Sequence, residues 1–230
     1  MTTGILYIVA TPIGNLADMT HRAIETLQKV DLIVCEDTRT SRKLLERYEI
    51  KTPTVSFYQN IRQGGATKPV PKLDYLTTEL TDGKNIALIT DAGTPGISDP
   101  GNQLVECAVK NNILVIPVPG VSALTTLASV SGIDLTRFVF LGFPPHKKGR
   151  ETFFKEVVSQ KYPVSYFESP HRVVKNLELL KSLAPDKKII LGRELTKMFE
   201  EIVRGTVEEV LGYFLENAGK VKGEFVIIVY

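Results

Sequence analysis

The sequence predicts an α/β fold, two α/β lobes with a cofactor cleft between them, and three observations carry that expectation. Short apolar runs alternate with amphipathic stretches through the first half of the chain, the pattern of a mostly parallel sheet with right-handed crossovers. A loop of unusual length and composition, ITDAGTPGISDPG at 89–101, breaks the alternation where a strand passes into a helix. The second half changes character and ends on the β-branched run EFVIIVY at 224–230, too rich in strand formers to be a frayed tail. The expected division is an N-terminal α/β domain with a mostly parallel sheet over 1–118 and a C-terminal α/β domain over 119–230.

Taken in order, residues 4–10 form the first strand, and TPIGNL at 11–16 is the loop behind it. Ala23, Ile24, Leu27 and Val30 recur at the spacing of one helical face. The second strand, DLIVC at 31–35, ends in Glu36, Asp37, Thr38 and Arg39. Leu44, Leu45 and Tyr48 continue on a helix, and 54–57 is a short third strand. The polar stretch QNIRQGGATKPVP at 59–71 carries a Gly-Gly pair and reads as a mobile loop, either a substrate lid or plain surface. Leu73, Leu76 and Leu80 mark the next helix, before a strand at 85–89 and the long loop. Leu104, Val105, Ala108 and Val109 then share a helix face, and the fifth strand, 113–117, closes on Pro119 and Gly120.

Beyond it, 121–130 is a helix of small residues, with Ala123, Leu124, Leu127 and Ala128 available for packing. Residues 138–143 form a strand, followed by the basic turn PPHKKGR at 144–150 and a helix. The strand at 163–167 runs into a second strand-to-helix loop, Glu168-Ser169-Pro170-His171-Arg172, whose helix turns Val173, Val174, Leu177 and Leu180 inward. Strands are expected at 187–191 and 201–203, and Thr206 with Glu209 matches a capping box ahead of Val210, Leu211 and Phe214.

Composition bounds the function. A net charge of +2 permits an anionic partner without demanding one. The two cysteines, Cys35 and Cys107, form no framework and read as reduced, buried thiols. No apolar run approaches the roughly 20 residues a membrane span needs, and the N-terminus lacks a basic leader. A cytoplasmic protein is expected. There is no G-x-x-x-x-G-K-[ST], no G-x-G-x-x-G after the first strand, no G-x-S-x-G and no zinc-like spacing of histidine and cysteine.

The long loop carries the functional signal. A structural turn needs about four residues, and this one spends about nine. Gly93, Gly96 and Gly101 permit positive φ and close approach of backbone to a ligand. Pro95 and Pro100 stiffen the path, with Asp99 expected to cap the following helix and Pro100 to sit in its first turn. Asp91 stands where the strand ends, the usual place for ligand contacts in an open α/β sheet. Four loops at strand ends (11–16, 36–39, 91–99 and 119–123) belong on one edge of the first sheet. Backbone groups with few charged side chains suit a nucleoside-like cofactor better than a polyphosphate.

The run Gly93-Thr94-Pro95-Gly96-Ile97-Ser98-Asp99-Pro100-Gly101 resembles the signature of the ribosomal small subunit methyltransferase I family. VATPIGNL at 9–16, EDTR at 36–39 and FESPHR at 167–172 match the same family in order, over nearly the whole chain. The resemblance implies the tetrapyrrole-methylase (class III) fold, S-adenosyl-L-methionine as cofactor, a homodimer, and 2′-O-ribose methylation of a cytidine in the decoding region of 16S rRNA, on the small ribosomal subunit. It places Pro12 at the first-loop cofactor contact and Ala92, Gly93, Thr94 and Ile97 where backbone meets the methionine end. Ser122 and Ala123 follow the third loop, Phe167 packs near the adenosine, and Leu195 and Glu224 carry over from less distinctive segments. Asp91 is added on position and chemistry, as an acceptor for the cofactor's amino group. The first loop is less glycine-rich than in the porphyrin-precursor methylases, which argues against that substrate. The family's bacterial rRNA members usually continue past the last strand, an extension that bears on RNA affinity more than on cofactor binding.

Transfer to a ribose hydroxyl requires alignment of that hydroxyl with the sulfonium methyl and removal of its proton; the sulfonium is an activated leaving group, so no metal is needed. Glu36 is the candidate base, with Asp37 as alternate; equally, one of them caps the next helix while the other pairs with Arg39. His171 is a further candidate. Arg39, Lys147, Lys148, Arg150 and Arg172 are candidates for RNA phosphates, with His171 beside them. Two other readings compete: a tetrapyrrole (porphyrin-precursor) methylase of the same fold, and a non-catalytic RNA-binding module.

Overall fold

The apolar runs at 32–35 and 86–88 become strands buried on both faces, at the centre of a sheet whose edges are partly exposed. The computed structural model describes residues 2–57, 72–99 and 101–230, and the chain divides into two units, Met1–Ser122 and Ala123–Tyr230. In the first unit β1 (Ile5–Val9), β2 (Leu32–Cys35), β3 (Thr54–Ser56), β4 (Ile86–Leu88) and β5 (Leu114–Val118) form one sheet in the order β3-β2-β4-β1-β5. Every pairing is parallel, with Leu6 opposite both Ile86 and Val115. Successive strand residues point to opposite faces, and the core sorts accordingly. Val9, Ile33, Cys35 and Ala87 pack with Ala23 and Leu27 of α1 (His21–Lys29) and Leu44 and Leu45 of α2 (Thr38–Arg47). Leu6, Leu32, Val34 and Ile86 pack with Leu76 and Leu80 of α3 (Leu73–Thr81) and Leu104 and Ala108 of α4 (Asn102–Lys110). Each fully buried leucine among these stabilises the unit by about 2–3 kcal/mol.

Three local expectations change here. Helix α4 starts at Asn102 with Gly101 in the cap position, two residues beyond Asp99. Gly101 sits at φ 128°, and a Cβ there would lie 2.5 Å from Leu88 Cδ2. The helix start is pressed onto β4, and only glycine fits. Val109 is 61% exposed, so the inward stripe of α4 rests on buried Leu104 and Ala108 with partly buried Val105 beside them. Cys107 is only half-buried, its sulfur 3.1 Å from Thr77 Oγ1, whereas Cys35 is buried as expected. Pro100 and the stretch 59–71 lie outside the described residues.

The second unit is built on a mixed sheet, β6-β7-β10-β8-β9, from β6 (Val139–Phe140), β7 (Val164–Glu168), β8 (Lys188–Arg193), β9 (Glu201–Thr206) and β10 (Phe225–Val229). Only β6 and β7 run parallel; the other neighbours are antiparallel. One face packs against Phe154 and Val157 of α6 (Arg150–Ser159), Leu177 and Leu180 of α7 (Val173–Leu183), and Val210 and Phe214 of α8 (Val207–Glu216). On the other face a Cβ at Gly192 would lie 2.9 Å from Leu127 of α5 (Ala123–Ser129). The capping box of α8 forms as expected, Thr206 and Glu209 each accepting the other's backbone N–H. Strand β6 is shorter than the sequence suggests because Gly142 turns the chain at φ 66°. Strand β9 is longer, held along its length by β8 despite carrying Arg204 and Gly205.

Candidate functional site

Five parallel strands put their C-terminal ends on one edge of the first sheet, and the loops leaving that edge are tied to one another. Thr11, just past β1, exchanges two backbone bonds with Gly93 of the β4 loop: Thr11 N–H to Gly93 O at 2.9 Å, and Gly93 N–H to Thr11 O at 3.0 Å. The Thr11 hydroxyl is buried and donates to Thr90 O at 3.1 Å. Thr94 Oγ1 donates to Val121 O at 3.1 Å, joining the β4 loop to the loop behind β5. The backbone N–H of Asp37, behind β2, donates to Asp91 Oδ1 at 3.3 Å. The loops after β1, β2, β4 and β5 thus form one connected rim. Sequence reasoning missed Thr11 and Thr90 as its ties; the only sign was threonine placed directly at two strand ends.

Gly93 is the keystone of that rim. Its φ is 80°, and both of its main-chain polar groups are taken by Thr11. It therefore fixes the first and second loops to each other and has no amide left for a ligand. Around it Pro12 and Ile13 are buried, Ala92 and Thr94 are partly exposed, and Ile97 is 41% exposed. Ser122 ends the first unit and Ala123 opens α5.

Three carboxylates share the rim, and their environments drive them apart. Burial, then the charge of Asp91, pushes Glu36 above the ordinary carboxylate range, partly offset by a backbone N–H of Asp91. Burial likewise raises Asp91, with the N–H of Asp37 opposing and its charge adding. Asp37 goes the other way, lowered by the Arg39 side chain and then its backbone N–H. Asp37 caps α2, accepting from Arg39 N at 2.8 Å, and pairs with the Arg39 guanidinium at 2.9 Å. It is occupied in both roles. Glu36 and Asp91 are the pair whose proton affinity is enhanced, the pattern that marks groups suited to proton or cation handling.

In the second unit Phe167 lies on β7, its ring 5.0 Å from Phe140 and 5.3 Å from Phe143. Leu195 is buried in the turn between β8 and β9, flanked by Glu194 at φ 50° and Thr196 at φ 67°. The Glu224 side chain is 70% exposed and pairs with Lys197 at 2.7 Å, while its N–H donates to Glu194 Oε1 at 3.0 Å. Lys147, Lys148 and His171 are exposed and Arg150 is half-buried at the start of α6.

Arg172 departs from its sequence reading. Its side chain is only 14% exposed and is spent internally, 3.4 Å from Glu168, 3.0 Å from Ser169 Oγ and 2.9 Å from Pro144 O. Glu168 is buried, accepts Ser169 N–H at 2.7 Å and also accepts from Asn176. An arginine held this way positions the chain and has little to offer a phosphate. The sequence sign of this network was Asn176, a polar residue inside the apolar stripe Val173, Leu177, Leu180.

Among the described residues no group of three or more His, Cys, Asp or Glu side chains is arranged to hold a metal ion, and no helix is long and apolar enough to cross a membrane.

The family described as Tetrapyrrole (Corrin/Porphyrin) Methylases matches residues 5–211. A Synechocystis protein named ribosomal RNA small subunit methyltransferase I is 44% identical over 98% of this chain and 78% of its own length. The protein of that name from Bacillus subtilis is 41% identical over 98% of this chain and 75% of its own. Among solved structures, a cobalamin biosynthetic enzyme, cobalt precorrin-4 methyltransferase, superposes with a TM-score of 0.69 at 17% identity, covering 97% of this chain and 94% of its own. That last likeness shows the fold alone. The sheet order, the tied loops and these similarities together show that the chain belongs to the tetrapyrrole (corrin/porphyrin) methylase family and, within it, to the ribosomal RNA small subunit methyltransferase I group.

Proposed function

We propose that this protein is an S-adenosylmethionine-dependent methyltransferase acting on the 2′-hydroxyl of a cytidine ribose in the decoding region of 16S rRNA. The observation that carries this reading is 41–44% identity, along 98% of the chain, to proteins named for methylating small-subunit ribosomal RNA. The resemblance in the loop motifs supports the choice of ribose, small subunit and cytoplasm, and of a homodimer.

The rim residues fit the donor chemically. Among the described residues Asp91 accepts one long bond, at 3.3 Å, and keeps acceptor capacity for an ammonium group. The exposed Ile97 side chain supplies apolar surface, Pro12 is a buried part of the loop after β1, and Ala92 and Thr94 present backbone on either side of Gly93. A carboxylate with carbonyls and apolar contacts suits a positively charged amino-acid nucleoside. When bound, S-adenosylmethionine supplies a methyl group already activated by its sulfonium charge. Gly93 and Thr11 hold the first two loops in register, and Thr94 holds the third through Val121, so that Ser122 and Ala123 follow from a fixed point. Phe167, Leu195 and Glu224 are the second unit's cofactor candidates. Glu36 accepts the ribose hydroxyl proton, a step its raised proton affinity favours. Asp37 keeps Arg39 in place, and Arg39 with Lys147, Lys148 and Arg150 meets RNA phosphates.

Glu36→Gln is expected to leave S-adenosylmethionine affinity unchanged and to slow methyl transfer by about 100-fold or more. The wild-type rate rises with pH. Burial and Asp91 keep Glu36 protonated to a higher pH than an ordinary carboxylate, and the accepting form accumulates as pH climbs through that raised value. That limb is absent from the variant. The measurement is transfer of labelled methyl to small ribosomal subunits, with the product located by ribose-methylation mapping. Full activity of the variant removes Glu36 from the mechanism, and label on a base or on no subunit RNA overturns the function.

A further inference from the structure

We propose that Phe143 is a stacking platform for an unpaired base of the substrate RNA, with the basic turn behind it, 144–150, directed at the flanking phosphates. The proposal rests on the rRNA reading and names a contact for it.

Phe143 is 45% exposed, as Phe138 at 37% and Phe199 at 68% also are, whereas Phe154, Phe214 and Phe225 of the same unit are at most 2% exposed. The Phe143 ring is held in place. It leans on Phe167 at 5.3 Å and 56°, and Phe167 in turn meets Phe140 edge-on at 5.0 Å. The chain is pinned on each side of it: Gly142 O accepts the Phe167 N–H at 2.9 Å, and Pro144 O accepts from Arg172 at 2.9 Å. Arg172 is itself fixed by Ser169 and by buried Glu168, which Asn176 and the Ser169 N–H hold. Six side chains and a glycine turn therefore present one ring outward, with its ordering cost already met in the free protein.

The residues just after the ring decide the partner. His146, Lys147 and Lys148 are exposed, and Gly149 at φ 88° turns the chain into α6. A fixed aromatic face followed by exposed cations is the combination that binds single-stranded nucleic acid, bases stacking on the ring and phosphates meeting the charges. The Glu168–Arg172 network acts as the positioning device for both halves.

The test compares wild type, Phe143→Leu and Phe143→Tyr. Leucine keeps the apolar contact with Phe167 and removes the flat ring; tyrosine keeps the ring. The first probe is a short single-stranded RNA carrying 2-aminopurine, whose fluorescence is quenched on stacking. Wild type and Phe143→Tyr are expected to quench it, and Phe143→Leu to bind it about tenfold more weakly without quenching. S-adenosylmethionine affinity and the thermal midpoint serve as controls and stay unchanged in all three. The second probe is methyl transfer to small ribosomal subunits, in which Phe143→Leu raises KM and leaves kcat in place. Equal RNA affinity in Phe143→Leu and wild type overturns the proposal, as does weakening by Lys147→Gln and Lys148→Gln with no dependence on residue 143. If wild type methylates no subunits, the rRNA reading fails, and the quenching difference alone sustains the platform.

Discussion

Gly93→Val is expected to abolish measurable S-adenosylmethionine binding while the second unit stays folded. Valine at φ 80° is a branched side chain in the left-handed region, a conformation that costs about 1–3 kcal/mol. Its Cβ would stand 3.4 Å from Ile13 Cγ2 before either γ-methyl is added. The relief available is for the loop to move, and movement gives up both Thr11–Gly93 bonds, at 2.9 and 3.0 Å. Each such bond contributes about 0.5–1.5 kcal/mol net. A combined penalty of a few kcal/mol corresponds to a loss of affinity of about 100-fold or more. Gly93→Ala carries the φ strain with less crowding and is expected to fall between. Calorimetric titration with S-adenosylmethionine reads the result, circular dichroism confirms folding, and wild-type affinity in Gly93→Val would remove the tied rim as the cofactor cradle.

Glu168→Ala is expected to destabilise the second unit by about 3–5 kcal/mol, the cost of leaving one member of a buried ion pair without the other. The Glu168 side chain is fully buried and that of Arg172 is 14% exposed. Removing the carboxylate strands the Ser169 N–H, the Asn176 amide and the Arg172 guanidinium together. Glu168→Gln keeps an oxygen for the Ser169 N–H and is expected to cost less. Urea denaturation followed by a probe in the second unit gives the difference, and hydrogen exchange at 142–148 is expected to quicken as Arg172 loses its anchor. An unchanged midpoint for Glu168→Ala would show that the network does not hold this part of the fold.

The first unit was legible because its central strands β2 and β4 are buried on both faces. Ile33, Cys35 and Ala87 serve one helical layer, Leu32, Val34 and Ile86 the other, and such strands print as unbroken apolar runs. Parallel order then implies that the loops after β1, β2, β4 and β5 share an edge, before any contact is known. The ties across that edge were not legible. Thr11 and Gly93 are far apart in sequence, and nothing local signals that glycine spends its amide on threonine rather than on a ligand. Arg172 misled for the opposite reason: an arginine after Ser-Pro looks solvent-facing until the burial of Glu168 is seen. Carboxylates favour the cap position of a helix, yet at α4 that position is held by Gly101, packed close on Leu88. At Asp37 both roles anticipated for the acidic pair, capping and pairing with Arg39, fall on one side chain.

A crystal structure of the protein grown with S-adenosylmethionine tests whether the tied rim is the cofactor cradle. The methyl donor is expected against Pro12, Ala92, Thr94 and Ile97, with its amino group on the Asp91 carboxylate and the Thr11–Gly93 bonds intact. A donor bound away from these residues, or the 91–99 loop released from Thr11 and turned to solvent, would contradict that arrangement.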